Sequence, residues 1–209
     1  VTVANYYPLT ASAWQFSEMR WSRPAGVISQ RTEFTNANRR FRLGAASRWS
    51  LEADLVPTRD PDVKRLRRSE MDIFSAPENT ILLQMFPNKP QGSIANGLVK
   101  GSGQAGFSLV IDNLPASTLV VKQGWVICVS VGGLHHQALV VSNNATTNGS
   151  GETTLNFTTP LRASPADNGD VHIQFPFIMM NFLDDVMGWK DGMADITEAG
   201  GTIKFVESF

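Results

Sequence analysis

The sequence predicts a mainly β protein: a β-sandwich or barrel-like body with one amphipathic helix, plus a small inserted β module. Three observations lead there. Alternation of apolar and polar residues with a period of two dominates the chain, one segment alone shows helical spacing, and charge is polarised between the two ends.

The alternation is clearest in Arg48-Trp49-Ser50-Leu51-Glu52-Ala53-Asp54-Leu55, the pattern of a strand with one buried and one wet face. Similar or more apolar runs lie at 81–86, 107–111, 118–122, 125–131 and 138–141. They recur at 153–157, 171–175, 178–182 and 202–207. Turn-forming clusters such as Pro87-Asn88-Lys89-Pro90 and Asn148-Gly149-Ser150-Gly151 separate them.

The helix is signalled by Asp60-Pro61-Asp62, an N-cap, a proline at the first helical position and an acid in the first turn. Val63, Leu66, Glu70, Ile73 and Phe74 then recur at spacings of three and four, with Lys64, Arg65, Arg67 and Arg68 mostly opposite. Pro77 stops the segment. Leu66, Ile73 and Phe74 are expected to pack on the sheet that holds Trp49 and Leu51.

Charge divides the chain in three. Residues 1–98 hold 13 Lys and Arg against 9 Asp and Glu, residues 99–172 hold 3 against 4, and residues 173–209 hold 2 against 6. The middle is also rich in Gly, Ser, Thr and Asn. This predicts a body made of 1–98 and 173–209 with a module of 99–172 inserted, and strands 48–55 and 202–207 in one sheet system.

Composition narrows the function classes. With 42% hydrophobic and 18% charged residues, the chain reads as a soluble globular protein. A net charge of −1 implies no global attraction to nucleic acid or anionic membrane. No stretch approaches eighteen uninterrupted apolar residues, so no conventional membrane-spanning helix is expected. Val1 to Leu9 lack the basic cluster and apolar run of a secretory signal, and the single cysteine, Cys128, excludes an intrachain disulfide framework. A reducing compartment is expected.

Candidate motifs weaken on inspection. Gly101-Ser102-Gly103-Gln104-Ala105-Gly106 matches the dinucleotide fingerprint, but strand-like Phe107–Ile111 follows where a helix is needed. His135, His136, His172 and Cys128 could be imagined as metal ligands, but the adjacent histidines have no acidic neighbour and adjacent strand residues face opposite sides, which disfavours chelation. There is no G-x-S-x-G elbow and no phosphate-binding loop. Asp184-Asp185 read as a solvated loop, because sequence adjacency does not place two carboxyls across a cleft. Three Asn-x-Ser/Thr triplets, at 144, 148 and 156, read as accidents of a Thr/Asn-rich segment. No catalysis, metal or cofactor is expected. Arg39, Arg40 and Arg42, interleaved with Phe41, could track a nucleic-acid backbone, but the acidic segment from Asp184 to Glu207 offers them a protein partner.

Several segments resemble tail proteins of tailed bacteriophages. They are Glu33-Phe34-Thr35, Arg42-Leu43-Gly44, the strand Arg48 to Leu55 ending at Val56-Pro57, and the helix after it. The middle resembles a second module of those proteins through Gly101–Gln104, Leu114-Pro115-Ala116-Ser117, Lys122-Gln123-Gly124 and Pro160 to Asn168. The end, Phe205 to Phe209, fits as well. Asn36-Ala37-Asn38 departs from the glycine-containing turn usual there, and Trp125 stands where an Asp is common.

The resemblance implies a structural virion protein: a ring-forming distal tail or tail-tube-related subunit, six-fold by analogy, joining the tail tube to the tail tip. It implies further copies of itself and other tail proteins as partners. DNA would be transiting cargo only, and the location would be the virion tail after synthesis in the host cytoplasm. Arg39, Arg40 and Arg42 are then expected to meet Asp184, Asp185 or Asp191 of a neighbouring subunit. The alternative is a carbohydrate- or receptor-binding β module, with Trp125 or Trp189 stacking on a sugar.

Overall fold

The structure, a computed structural model, describes residues 5–8, 14–23, 27–31, 38–42, 48–74, 79–85, 90–94, 96–131, 135–183 and 202–208. It is mainly β: 47% of the described residues lie in strands and 9% in helix. The first elements are β1 (Asn5–Pro8), β2 (Phe16–Ser22), β3 (Val27–Arg31), β4 (Asn38–Arg42), β5 (Ser50–Leu55), α1 (Pro61–Phe74) and β6 (Asn79–Gln84). Then come β7 (Asn96–Val99), β8 (Ser108–Asp112), β9 (Leu119–Val121), β10 (Val126–Val131) and β11 (His135–Val140). The rest are β12 (Ala145–Thr146), β13 (Thr153–Asn156), β14 (Asp170–His172), β15 (Phe177–Phe182) and β16 (Thr202–Glu207).

The chain divides into two compact units, Val1–Leu83 with Met179–Phe209, and Gln84–Ile178. The expected breaks at 98 and 172 therefore move to 83 and 178. Pairing gives the reason at the first break: β7, expected in the body, hydrogen-bonds to β14 and β8 in the second sheet.

The first sheet has the order β1-β6-β15-β16-β5-β2. Its alternating strands behave as their period requires. On β5, Leu51, Ala53 and Leu55 are buried while Glu52 is exposed, and on β16, Ile203, Phe205 and Glu207 are buried. The two strands pair directly, antiparallel, with Phe205 opposite Leu51. Glu207 points inward as a carboxylate yet meets a donor: Trp49 N–H donates to its Oε2 at 3.0 Å, and Glu207 N–H returns a bond to Trp49 O at 2.8 Å. A buried carboxylate needs such a bond to offset its lost hydration. The wet face carries a polar ladder. Arg20 pairs with Glu18 at 2.9 Å and Asp54 at 3.3 Å, Thr202 donates to Asp54 at 2.5 Å, and Lys204 lies 3.7 Å from Glu52.

Helix α1 starts as its cap predicts: Asp60 accepts the Asp62 N–H at 2.9 Å, and the Lys64 N–H reaches Asp60 O at 3.1 Å. Its packed face differs from expectation. Lys64, Arg67 and Met71 are the buried positions, Leu66 is half-buried, and Ile73 is 41% exposed. The side chain of Phe74 lies outside the described residues. Two polar anchors explain the rotation. The Arg67 guanidinium, only 2% exposed as a residue, donates to Val56 O at 3.1 Å, and Glu70 accepts from the Trp14 indole. Long basic side chains can bury their stems once the head group is bonded, which hydropathy spacing does not register.

In the second unit the order is β11-β10-β14-β7-β8-β13, with β9 and β12 as a separate pair. Leu109, Ile111, Ile127, Val129, Leu155 and Val171 belong to one buried cluster. Three glutamines tie its loops. Gln91 bonds both the N–H and the C=O of Val126, at 3.0 and 2.7 Å. Gln104 does the same for Val110, at 2.6 and 3.1 Å. Gln137 accepts from Arg162 N–H and donates to Pro160 O, both at 3.0 Å.

Phe205→Ala should cost about 3–5 kcal/mol in urea unfolding, because the ring is fully buried in a central strand. Leu66→Ala should cost under about 2 kcal/mol, since the side chain starts half-exposed. Equal losses at the two positions would show that α1 packs by its apolar face after all.

Candidate functional site

The basic cluster expected at an interface falls on β4. Antiparallel pairing with β3 sets Arg39 opposite Gln30, Arg40 opposite Ser29 and Arg42 opposite Val27. These two strands form a sheet of their own and join no other strand among the described residues. The side chains of Arg39, Arg40 and Arg42, and all of Asp184, Asp185, Asp191 and Trp189, lie outside the described residues. The structure thus places the arginine backbone and leaves the expected ion pairs undrawn.

Trp125 is half-buried and packs against the second unit's core. Its ring also closes on Gly92, where an added Cβ would come within 2.6 Å of the indole, at a backbone φ of +76°. A ring so engaged is a packing residue, and this corrects its assignment as an exposed sugar platform.

The Gly101–Gly106 loop is a turn between strands. Gly101, Gly103 and Gly106 take positive φ, and the Gln104 amide fills the loop, donating to Lys100 O at 2.7 Å as well as bonding Val110. Strand β8 follows. There is no helix N-terminus at this loop to receive a pyrophosphate.

The histidines separate by strand. Cys128 is buried on β10, with His172 its partner on β14 and Ala138 its partner on β11, while His136 pairs with Ser130. No group of three or more His, Cys, Asp or Glu residues suited to a metal occurs among the described residues. Instead the rings of His136 and His172 flank Phe177, with centroids 4.8 and 4.3 Å from it. His172 Nδ1 lies 3.2 Å from Asn96 Oδ1. Burial pushes the His172 pKa below the ordinary imidazole value, against a smaller upward pull from Asp170.

Beside this cluster is a cleft of about 340 Å³ lined by Gln84, Asn96, His172, Phe175 and Phe177. Its lining comes from the end of β6, the start of β7, the end of β14 and the segment entering β15. Of these residues the sequence reading singled out His172 alone. Phe175-Pro176-Phe177, two aromatics around a proline, was the available signal, but nothing in its spacing marks Phe175 as 40% exposed. A second cleft, in the first unit, is lined by Gln15, Val56, Pro57, Thr58, Asp60, Val63 and the buried Arg67.

No protein-family model matches this sequence, and no curated protein matches it. The fold itself defines the class: a mainly β protein of two units with a single helix among the described residues. No helix in the described residues is long and apolar enough to cross a membrane.

The depressed His172 pKa has a definite consequence. Folding favours the neutral ring, so below about pH 6.5 the unfolded chain takes up a proton that the native chain resists. Stability from this group is therefore present above that pH and declines with acidification, until the pH passes below the folded pKa. Melting temperature measured from pH 7.5 to 5 should fall less steeply in His172→Asn than in the parent. Identical slopes would remove His172 from the pH response.

Proposed function

We propose that this chain is a structural virion protein, a ring-forming distal tail or tail-tube-related subunit joining the tail tube to the tail tip of a tailed bacteriophage. The observation that carries the reading is the arginine-bearing ribbon β3–β4, a two-stranded sheet of its own among the described residues. An isolated two-stranded hairpin is marginal in water and gains from a further surface. In a head-to-tail ring the next subunit supplies that surface, and each subunit presents two different, complementary faces.

Charge supports the same reading. A net +4 over 1–98 and −4 over 173–209 suit an interface in which Arg39, Arg40 and Arg42 approach Asp184, Asp185 or Asp191 of a neighbour. Exposed ion pairs contribute about 0–1 kcal/mol each, so apolar contacts provide most of the affinity and charge sets orientation and encounter rate. The work is assembly and not catalysis. Partners are further copies of the chain, most simply six, and the tail proteins on either side, with DNA no more than cargo in transit.

Native mass spectrometry of the purified chain should give a discrete closed oligomer. Reversing Arg39, Arg40 and Arg42 together to Glu should impair its formation while the circular dichroism of the monomer stays unchanged. Added salt should slow assembly more than it dissociates finished rings. A triple variant assembling at the parent rate removes the ribbon from the interface. A parent chain that remains monomeric at high concentration counts against the ring.

A further inference from the structure

The cleft of the second unit combines features that together specify a ligand chemistry. Its volume of about 340 Å³ is at the lower end of the range of about 300–1,000 Å³ typical of small-molecule sites. Phe175 is one of five large hydrophobic side chains left exposed among the described residues, and the only one of the five on this cleft. Phe177 forms a fixed wall, because the rings of His136 and His172 hold it from two sides. The polar part of the lining is two carboxamides, Gln84 and Asn96, and one imidazole. None of the five lining side chains is an acid, a lysine or an arginine.

Each candidate ligand class asks for something different. A phosphate or carboxylate needs a cation or a convergent set of N–H donors. A lipid or drug-like aromatic needs an enclosed apolar cavity, whereas this cleft is open to solvent and carries three polar side chains beside its two rings. A sugar ring presents an apolar C–H face and an edge of hydroxyls that both donate and accept. Aromatic rings take such a face, and carboxamides, which carry a donor and an acceptor side by side, take vicinal hydroxyls. The Asn96–His172 bond holds both polar groups in place before a ligand arrives, which lowers the ordering cost of binding.

We propose that the cleft formed by Gln84, Asn96, His172, Phe175 and Phe177 is a binding site for one neutral monosaccharide unit of a glycan. The site lies within the Gln84–Ile178 unit and is independent of the ring reading, since a chain that stays monomeric still answers the test.

Saturation-transfer difference NMR on the full chain is the test. The probes are the methyl glycosides of glucose, galactose, mannose, rhamnose and N-acetylglucosamine. At least one should receive saturation at its ring protons. Phe175→Ala should weaken that probe's Kd about three- to tenfold, the effect of losing one aromatic contact. Gln84→Ala should weaken it as well, while Phe107→Ala, at an exposed ring outside the cleft, should leave it unchanged. Both cleft substitutions are at residues that are not fully buried, and unchanged melting temperatures would confirm that the variants are folded. Absence of transfer to all five probes overturns the proposal. Transfer that survives both Phe175→Ala and Gln84→Ala does so equally.

Discussion

One strand holds the first sheet together. In the order β1-β6-β15-β16-β5-β2, β16 links the three strands on one side to the two on the other among the described residues. Its inward residues, Ile203, Phe205 and Glu207, supply core on both sides of that joint, and its outward Lys204 and Thr202 continue the polar ladder of β5. Glu207 is the most demanding of these. A fully buried carboxylate is costly unless bonded, and the bonds to Trp49 fix both the register of β16 and the backbone just before β5.

The second unit solves a different problem. Its strands are short, and long stretches of turn must be held without a ladder. Gln91, Gln104 and Gln137 each offer a side-chain amide in place of a missing peptide group, satisfying one N–H and one C=O. A carboxamide is suited to this because it carries the same donor and acceptor as a backbone peptide. The histidine and phenylalanine cluster at the cleft is held by ring contacts and one hydrogen bond instead. Rigid turns and packed rings thus leave the exposed Phe175 standing on a firm base.

What could be read from the sequence follows from how much burial each element imposes. Leu51, Ala53 and Leu55 alternate because one face of β5 is fully covered, so its period is clear. The edge strand β2 has no fully buried residue, so Phe16–Ser22 shows too little contrast to read. In β7, Asn96-Gly97-Leu98-Val99 is short and contains a glycine, and the expected boundary after residue 98 cuts through it. The helix was legible in its cap and length, but its orientation was not, because Lys64 and Arg67 pack inward, Arg67 with its head group bonded to Val56 O. The cleft was nearly illegible. Its residues come from three separated stretches, and tertiary pairing alone brings Gln84, Asn96 and the 172–177 segment together.

The placement of β16 also orders events during synthesis. The Gln84–Ile178 unit is one continuous stretch and leaves the ribosome complete. Strands β2 and β5 emerge much earlier, yet the inner edge of β5 has no partner until residues 202–207 follow. For that interval β5 presents an open hydrogen-bonding edge, the kind of surface through which nascent chains pair with one another. Glu52 and Asp54 on β5, with Glu18 and Arg20 beside them on β2, put charge along the waiting pair and discourage such encounters. The ion pairs that add little to the finished sheet thus protect it while it is incomplete.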